Sequence, residues 1–508
     1  PAPTRPPPLG HDLPGLPEIF VKRFELVGNH VFDSTTLTRL TRPFENRNLS
    51  VADLEELRYR LSLYYVDHGY INSGAIIPDQ TVEDGVVTIQ IIEGELSDIV
   101  ITGNRHLRKQ YLEKRIGLGA GPPLNIVKLG ETLQLLQDNA RIKQLKAQLA
   151  PGDQPGQSVV DVQVTGTRPY EVWIGGNNHQ PPSVGGNQLR MWALHRSLTS
   201  RGDTLNVEYD RGDGLKEWNI GYRLPVTARD TEIGITYNRI DSEVVESPFD
   251  DLDIRNDQET LGFSLTHPLY RSVHSNFSLR AYLDLRESKS YLLDKSFNFT
   301  PAAENGKTKI TVARFSQEWV ERSQRRVIAA RSMFSRGLDT LDASVNGKPQ
   351  DGKFTSWLGQ FQWISRLPHT RSQLVLRANA QWTANGLPGM ETFTIGGHNT
   401  VRGYRENRLV ADKGVTGSIE LRLPLYSRKS PPFNLQLAPF ADYGKVANNY
   451  LPDPEKKRIG SVGVGIIGSL TRRVLFDAYY GYPFRNFKDA NDNIQDEGIH
   501  FNLSVRLL

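Results

Sequence analysis

Phe277-Ser278-Leu279-Arg280-Ala281-Tyr282-Leu283-Asp284-Leu285 sets an apolar side chain on every second residue and places Ser278, Arg280 and Asp284 between them. A period of two sends one set to each face of an extended strand. The alternation continues in Leu376-Arg377-Ala378-Asn379-Ala380-Gln381-Trp382, in Ile419-Glu420-Leu421-Arg422-Leu423, and from Ile499 to Leu507 around His500, Asn502, Ser504 and Arg506. It recurs in short runs from about Tyr170 to Leu508, with no long apolar run among them. A soluble sandwich alternates too, but its polar face meets bulk water and its apolar faces must meet each other. Here the polar set keeps carrying Arg, Glu and Asp, which suits a wet lumen with lipid outside, as in a membrane barrel.

Composition agrees with that class. At 508 residues the chain is long enough for two or more domains or one very large one. The hydrophobic fraction is 38% and the mean hydropathy −0.46. No window supplies the ~20 apolar residues of a spanning helix, whereas a barrel needs none because half of each strand lines the lumen. The absence of cysteine fits an exported protein. Lys plus Arg number 61 against 57 acids, a formal charge of +4 spread along the chain, so no nucleic-acid footprint is present. Pro1 to Pro17 holds seven prolines and no apolar signal core, so an exported form would be mature or trimmed.

The first third is a duplication. Phe24-Glu-Leu-Val-Gly28-Asn29 returns in pattern as Ile99-Val-Ile-Thr-Gly103-Asn104, 75 residues on, and the same offset carries Leu49-Ser50 onto Leu124-Asn125. Ser50 and Asn125 are good N-caps, followed by helical stripes at Leu54, Leu57, Leu61 and Tyr64 or Tyr65, and at Val127, Leu129, Leu133 and Leu136. Each unit ends on Val86-Val-Thr-Ile-Gln-Ile-Ile or Val159-Val-Asp-Val-Gln-Val. Two copies of one compact α+β module are expected, each with the order strand, short helix, longer helix, strand, strand.

Turn signals cut residues 168 to 508 into about 16 strands. Short connections fall near Ser197–Gly202, Pro225–Arg229, Pro268–Val273, Glu321–Arg325, Leu367–Thr370, Pro424–Pro432 and Leu470–Arg472. Those of the other set, near Asn178–Asn187, Gly212–Gly214, Ser242–Asn256, Ser288–Gly306, Arg336–Asp351, Asn385–Gly414, Ala447–Gly460 and Phe484–Glu497, are all long but the second. That asymmetry belongs to bacterial outer-membrane barrels, with short turns in the periplasm. Both ends of the barrel then lie on the periplasmic side, and the duplicated modules with them.

The connection at about 385–414 contains Phe393-Thr-Ile-Gly-Gly-His-Asn-Thr-Val-Arg-Gly-Tyr-Arg-Glu-Asn407. Ordering paired glycines and an Arg-Gly-Tyr turn costs backbone entropy, so a defined conformation is expected. Downstream, Pro439-Phe440-Ala441-Asp442-Tyr443-Gly444 aims an aspartate at the lumen by alternation. A loop arginine and a wall aspartate would make a clasp in a low-dielectric interior, where an unpaired charge costs several kcal/mol. A solvated arginine and a free lumenal aspartate fit the same letters.

Taken together, the paired modules, the strand count, Val401-Arg402-Gly403-Tyr404 before the twelfth strand and Phe440-Ala441-Asp442 on the next resemble the transporters of two-partner secretion. These TpsB proteins of the ShlB/FhaC/HecB haemolysin secretion/activation family share a superfamily with the barrel-assembly proteins. The resemblance covers about Phe20 to Leu508 and implies a fold of two POTRA-like β-α-α-β-β modules followed by a 16-stranded antiparallel transmembrane β-barrel. Its domains would be a proline-rich linker at 1–19, POTRA modules at 20–95 and 96–167, and the barrel at 168–508. It implies that Arg402 sits at the tip of an inward loop and pairs with Asp442, that Val401, Gly403 and Tyr404 shape that tip, and that Phe440 and Gly444 frame the aspartate. POTRA modules would bind extended chains by strand addition, for which Ala75, Ile76 and Ile77 form a candidate edge by position. The implied partners are a large secreted TpsA-type exoprotein and outer-membrane lipids, with room for periplasmic chaperones, and no nucleic acid. The implied place is the outer membrane, with the N-terminal modules in the periplasm.

Two features depart from the family pattern. A proline-rich stretch suited to polyproline II stands where members carry a plug helix, and Val505-Arg506-Leu507-Leu508 ends without an aromatic residue. The rival within the superfamily is an outer-membrane assembly and insertion factor, and a passive porin would have no use for the modules. No enzyme is expected, and no cofactor or metal. Gly463-Val-Gly465-Ile-Ile-Gly468 spells a dinucleotide fingerprint but lies in an alternating strand, followed by a turn and no helix. The 11 histidines are scattered, and neither a zinc-protease nor a serine-hydrolase motif occurs.

Overall fold

The computed structural model describes residues 18–487 and 492–508. The proline-rich linker expected at 1–19 lies, as far as residue 17, outside the described residues. Two compact units divide between Thr167 and Arg168.

In the first unit, Arg23–Val27, Ser34–Thr41, Val51–Asp67, Gly74–Ile76 and Val86–Ile92 make one strand-helix-helix-strand-strand repeat. Glu95–Thr102, Lys109–Ile116, Ile126–Gln137, Ile142–Pro151 and Gln157–Gly166 make the second. In both sheets the last strand lies in the middle, parallel to the first and antiparallel to the one before it. That placement buries its alternate residues under the helices, so Val87, Ile89 and Ile91, and their counterparts Val160, Val162 and Val164, sit in the two cores.

The landmarks of the duplication have structural causes. Gly28 and Gly103 both turn the chain in the left-handed region, at φ 89° and 77°. Ser50 closes a reciprocal capping box with Asp53, and the Asn125 carboxamide oxygen accepts from the Val127 N–H at 3.0 Å. The repeats are bonded at their junction: Leu124 N–H donates to the Gly94 carbonyl at 2.7 Å and Ile126 N–H to that of Gly69 at 2.9 Å. Val127 departs from its expected stripe and is 59% exposed, whereas Leu129, Leu133 and Leu136 pack in the core. A ribbon pairing Ile19–Val21 with Arg47–Leu49 is an addition that the periodicity did not announce.

In the second unit, sixteen strands among the described residues close into one antiparallel barrel, from Tyr170–Asn177 to Ile499–Arg506, which pair with each other. The outward set forms continuous apolar rows. Leu265, Ala281, Phe315, Phe334, Trp357 and Trp382 are successive cross-strand partners on six neighbouring strands. The inward set is polar and paired, as where Arg314 Nε donates to Asp284 at 2.8 Å. No described helix is long and apolar enough to cross a membrane, and the outward rows supply the apolar band instead.

Two expected turns move. Strands Arg255–Arg271 and Lys413–Lys429 run on through Pro268 and Pro424, which the sequence reading placed in connections. In both strands the ladder slips just beyond the proline, between Pro268 and Tyr270 and between Pro424 and Tyr426. A bulge asks for no N–H at that point, so proline is tolerated inside the strand. The connections at 226–231, 272–274, 323–325, 367–372, 430–431 and 471–473 are short, while 384–412 is the longest on the opposite side.

Candidate functional site

The long connection at 384–412 is folded inward and packed. Phe393–Ile395 pairs with Leu409–Ala411 as a small hairpin. Phe393, Ile395, Val401, Tyr404, Leu409 and Ala411 bury themselves against Val446 and Ile459 of the wall. A loop facing only water would have no reason to carry six such residues.

At the tip stands Arg402, 3% exposed, with Asp442 at 4% and Glu420 at 0%. Its guanidinium grips Asp442 through both oxygens, Nε to Oδ2 at 2.8 Å and Nη2 to Oδ1 at 2.9 Å, and its own backbone N–H donates to Oδ2 at 3.0 Å. Nη1 donates to Glu420, and Nη2 also reaches the Ser418 hydroxyl at 3.1 Å. Four guanidinium bonds from five available donors leave little of the charge unmet. Glu420 in turn accepts from Arg422 Nε at 2.7 Å, so two arginines face two carboxylates and the cluster is neutral. The strand register assembles it: Ser418 lies opposite Asp442 and Glu420 opposite Phe440, all on the inward face.

Aromatic rings complete the seat. The Arg402 Cζ lies 3.7 Å from the Phe440 ring centroid and 4.7 Å from that of Tyr479. The glycines of Gly463-Val-Gly465-Ile-Ile-Gly468 explain themselves here. Gly463 lies opposite Phe440 and Gly465 opposite Tyr479, and a Cβ on either would run into the facing ring. Gly444 likewise leaves room for the loop, since a Cβ there would meet Ile395 Cδ1 at 2.9 Å and Val401 Cγ2 at 3.1 Å. Gly403, at φ 87°, passes so close to Gly481 that a Cβ would meet its carbonyl oxygen at 2.6 Å. The Tyr404 hydroxyl donates to the Gly460 carbonyl at 2.9 Å.

Further anchors hold the loop at other points of the wall. Glu391 accepts from Arg286 at 2.6 Å and from Arg314 at 2.7 Å, on two neighbouring strands. Arg405 pairs with Asp496 at 2.6 Å and with Glu246 at 2.7 Å, both in other connections of the same side. The loop is thus a docked element, held to the wall by ion pairs and an apolar hairpin. Sequence reading brought Arg402 and Asp442 forward but missed Glu420, Ser418 and Tyr479. The available signal was parity: Ser418, Glu420 and Arg422 share the inward face one strand before Asp442.

The candidate strand edge is placed differently from its expectation. Gly74–Ile76 is indeed an edge strand of its sheet. Yet the Ala75 N–H donates to Ser62 Oγ at 3.0 Å, so the helix beside it already satisfies that donor. Ile77 lies outside the strand and packs against the core, which leaves Ile76 as the exposed member. Beside the edge runs a groove of about 270 Å³ lined by Arg58, Ser62, Val66, Ile71, Ile76 and Ile92 among others. Among the described residues no group of three or more His, Cys, Asp or Glu is arranged to hold a metal ion.

Comparison with known proteins places this geometry. The family described as haemolysin secretion/activation protein ShlB/FhaC/HecB matches residues 156–468, and the ShlB-type POTRA domain matches residues 19–94. The chain is 24% identical to the outer membrane transporter CdiB of Escherichia coli O6:K15:H31 over 421 residues, 80% of this chain and 69% of that protein. It is 22% identical to the heme/hemopexin transporter protein HuxB of Haemophilus influenzae over 427 residues, 80% of this chain and 72% of that protein. Among solved structures, CdiB from Escherichia coli superposes with a TM-score of 0.73 at 22% identity, covering 99% of this chain and 93% of that one.

Proposed function

This chain belongs to the haemolysin secretion/activation family ShlB/FhaC/HecB, the TpsB transporters of the outer membrane, and from that premise we propose that it carries one large, unfolded, β-rich exoprotein from the periplasm to the cell surface by two-partner secretion. The barrel sits in the outer membrane with the N-terminal modules in the periplasm. The periplasm holds no ATP, so the driving force is folding of the cargo outside, while barrel and modules keep it extended until then. An adhesin, a haemolysin or a contact-dependent toxin is the cargo class that suits this design.

The observation that carries the reading is the docked loop. A two-carboxylate socket for Arg402, built from neighbouring strands, favours a resting state in which the lumen is obstructed and from which the loop is displaced for transport. Entry starts at the first module. A cargo segment adds along Gly74–Ile76 and seats a side chain in the adjoining groove, and the Ser62 hydroxyl yields the Ala75 N–H to the incoming strand. Deleting the gene and comparing culture supernatants tests the proposal. Loss of one very large protein, restored by the wild-type gene and not by Arg402→Ala, is the expected result, and an unchanged set of secreted proteins would overturn it.

A further inference from the structure

The periplasmic rim of the barrel is rich in arginine. Arg201, Arg229, Arg325, Arg371 and Arg472 are exposed in five of its seven short turns. The same turns contain two carboxylates, Asp203 and Asp230, and both are engaged, the first by Thr199 and the second by Arg271. Exposed Leu198, Val226, Leu269 and Tyr270 alternate with this charge along the rim.

One part of the rim is concave. A depression of about 670 Å³ lies between the turns at 272–274 and 323–325, lined by Tyr270, Ser272, His274, Arg322, Ser323 and Arg325 among others. Arg322 and Arg325 are exposed, and their guanidinium groups meet no ion-pair or hydrogen-bond partner among the described residues. The carboxylate in the lining, Glu321, is already held by Arg326 at 2.7 Å. Both guanidinium charges in the depression are therefore uncompensated.

Its height in the membrane follows from the register. Tyr270 lies opposite Phe277, and Phe277 opposite Trp319, an aromatic row across three neighbouring strands on the outward face. The Trp319 indole N–H donates to Ser275 Oγ, at the edge of the depression. Aromatic girdles mark the boundary between acyl chains and water, so the depression opens where headgroup phosphates lie. We propose that it binds the phosphate of an inner-leaflet phospholipid. Arg322 and Arg325 clamp the phosphate oxygens, Ser272 and Ser323 supply neutral donors, and the Tyr270 and Trp319 rings flank the upper acyl chains. An acidic segment of cargo is the less fitting ligand, because Tyr270, Phe277 and Trp319 set the border of the depression on the lipid-facing side, while Arg322, of the same parity as Arg314, reaches it from the lumenal side of the rim.

Native mass spectrometry of the full chain, released from detergent micelles containing phosphatidylglycerol, tests this. Arg322→Ala/Arg325→Ala is expected to retain about tenfold less lipid than wild type, the scale of losing charge-assisted contacts at an exposed site. Gln324→Glu, which keeps both arginines and adds a carboxylate to an exposed turn position, is expected to act in the same direction. Heat-modifiable gel mobility verifies that each barrel is folded. Equal lipid retention in all three proteins would overturn the proposal, as would displacement of the lipid by millimolar inorganic phosphate, which would make this a free-anion site. Loss of binding to an acidic unfolded peptide with lipid retention unchanged would give the arginines to cargo and overturn it as well.

Discussion

Replacing Arg402 by alanine should undock the loop while leaving the barrel intact. In the docked state the substitution removes four guanidinium hydrogen bonds and leaves Asp442 and Glu420 buried, with Arg422 as the remaining cation of the cluster. Breaking a buried pair by removing one partner costs about 3–5 kcal/mol, because the other charge stays uncompensated. At 1.4 kcal/mol per factor of ten, the docked population relative to the undocked one falls by roughly two to four orders of magnitude. The chain has no cysteine, so a single Ala411→Cys, buried in the docked hairpin, reports undocking by its rate of labelling with a membrane-impermeant maleimide. Arg402→Ala should accelerate that labelling and raise single-channel conductance in planar bilayers, and secretion should fall. The set Arg402→Met/Glu420→Gln/Asp442→Asn should dock better than Arg402→Ala alone, since no carboxylate is left stranded and the one charge that remains, Arg422, is partly exposed. Labelling as slow in Arg402→Ala as in the parent would refute the reasoning.

Other perturbations probe separate contacts. Gly403→Val must place a β-branched side chain at φ 87° and against the Gly481 carbonyl, so it should undock the loop at least as far as Arg402→Ala by the same labelling assay. Arg314→Ala removes an anchor on another part of the wall and leaves Glu391 with Arg286; faster Ala411→Cys labelling with a smaller change than Arg402→Ala is expected. Ser62→Ala strips the acceptor from the buried Ala75 N–H, a loss of about 1–3 kcal/mol, read as faster hydrogen exchange across Gly74–Ile76. The Asp33 carboxyl is held below its usual range by the hydroxyl and N–H of Thr36 at a helix N-terminus. Its folded pKa lies below its unfolded one, so the stabilisation is complete above the ordinary Asp value of about 3.9 and is lost as pH falls through the folded value. Exchange protection of Ser34–Thr41 should therefore drop in acid, and Asp33→Asn should abolish that pH dependence.

The barrel was legible because alternation reports which face each residue takes, whatever strand it pairs with. The duplication was legible because Gly28 and Gly103, and Ser50 and Asn125, do the same local job in each copy. Proline misled the reading at Pro268 and Pro424, where a bulge, invisible in sequence, removes the need for an N–H. The socket was half legible. Arg402 and Asp442 stand in recognisable runs, whereas Glu420 looks like any lumenal residue until the register sets it beside Phe440. Gly463, Gly465 and Gly468 acquire a reason only from the Phe440, Tyr479 and Phe476 rings on neighbouring strands. The occupied Ala75 N–H, too, depends on a helix packing that no local pattern encodes.

The central claim is that this chain serves one exoprotein. A photo-reactive residue at Ile76, in the full chain in living cells, followed by mass spectrometry of the crosslinked species, measures it most directly. The account predicts one dominant, very large secretory protein. A broad set of barrel precursors would contradict it and identify an assembly factor instead.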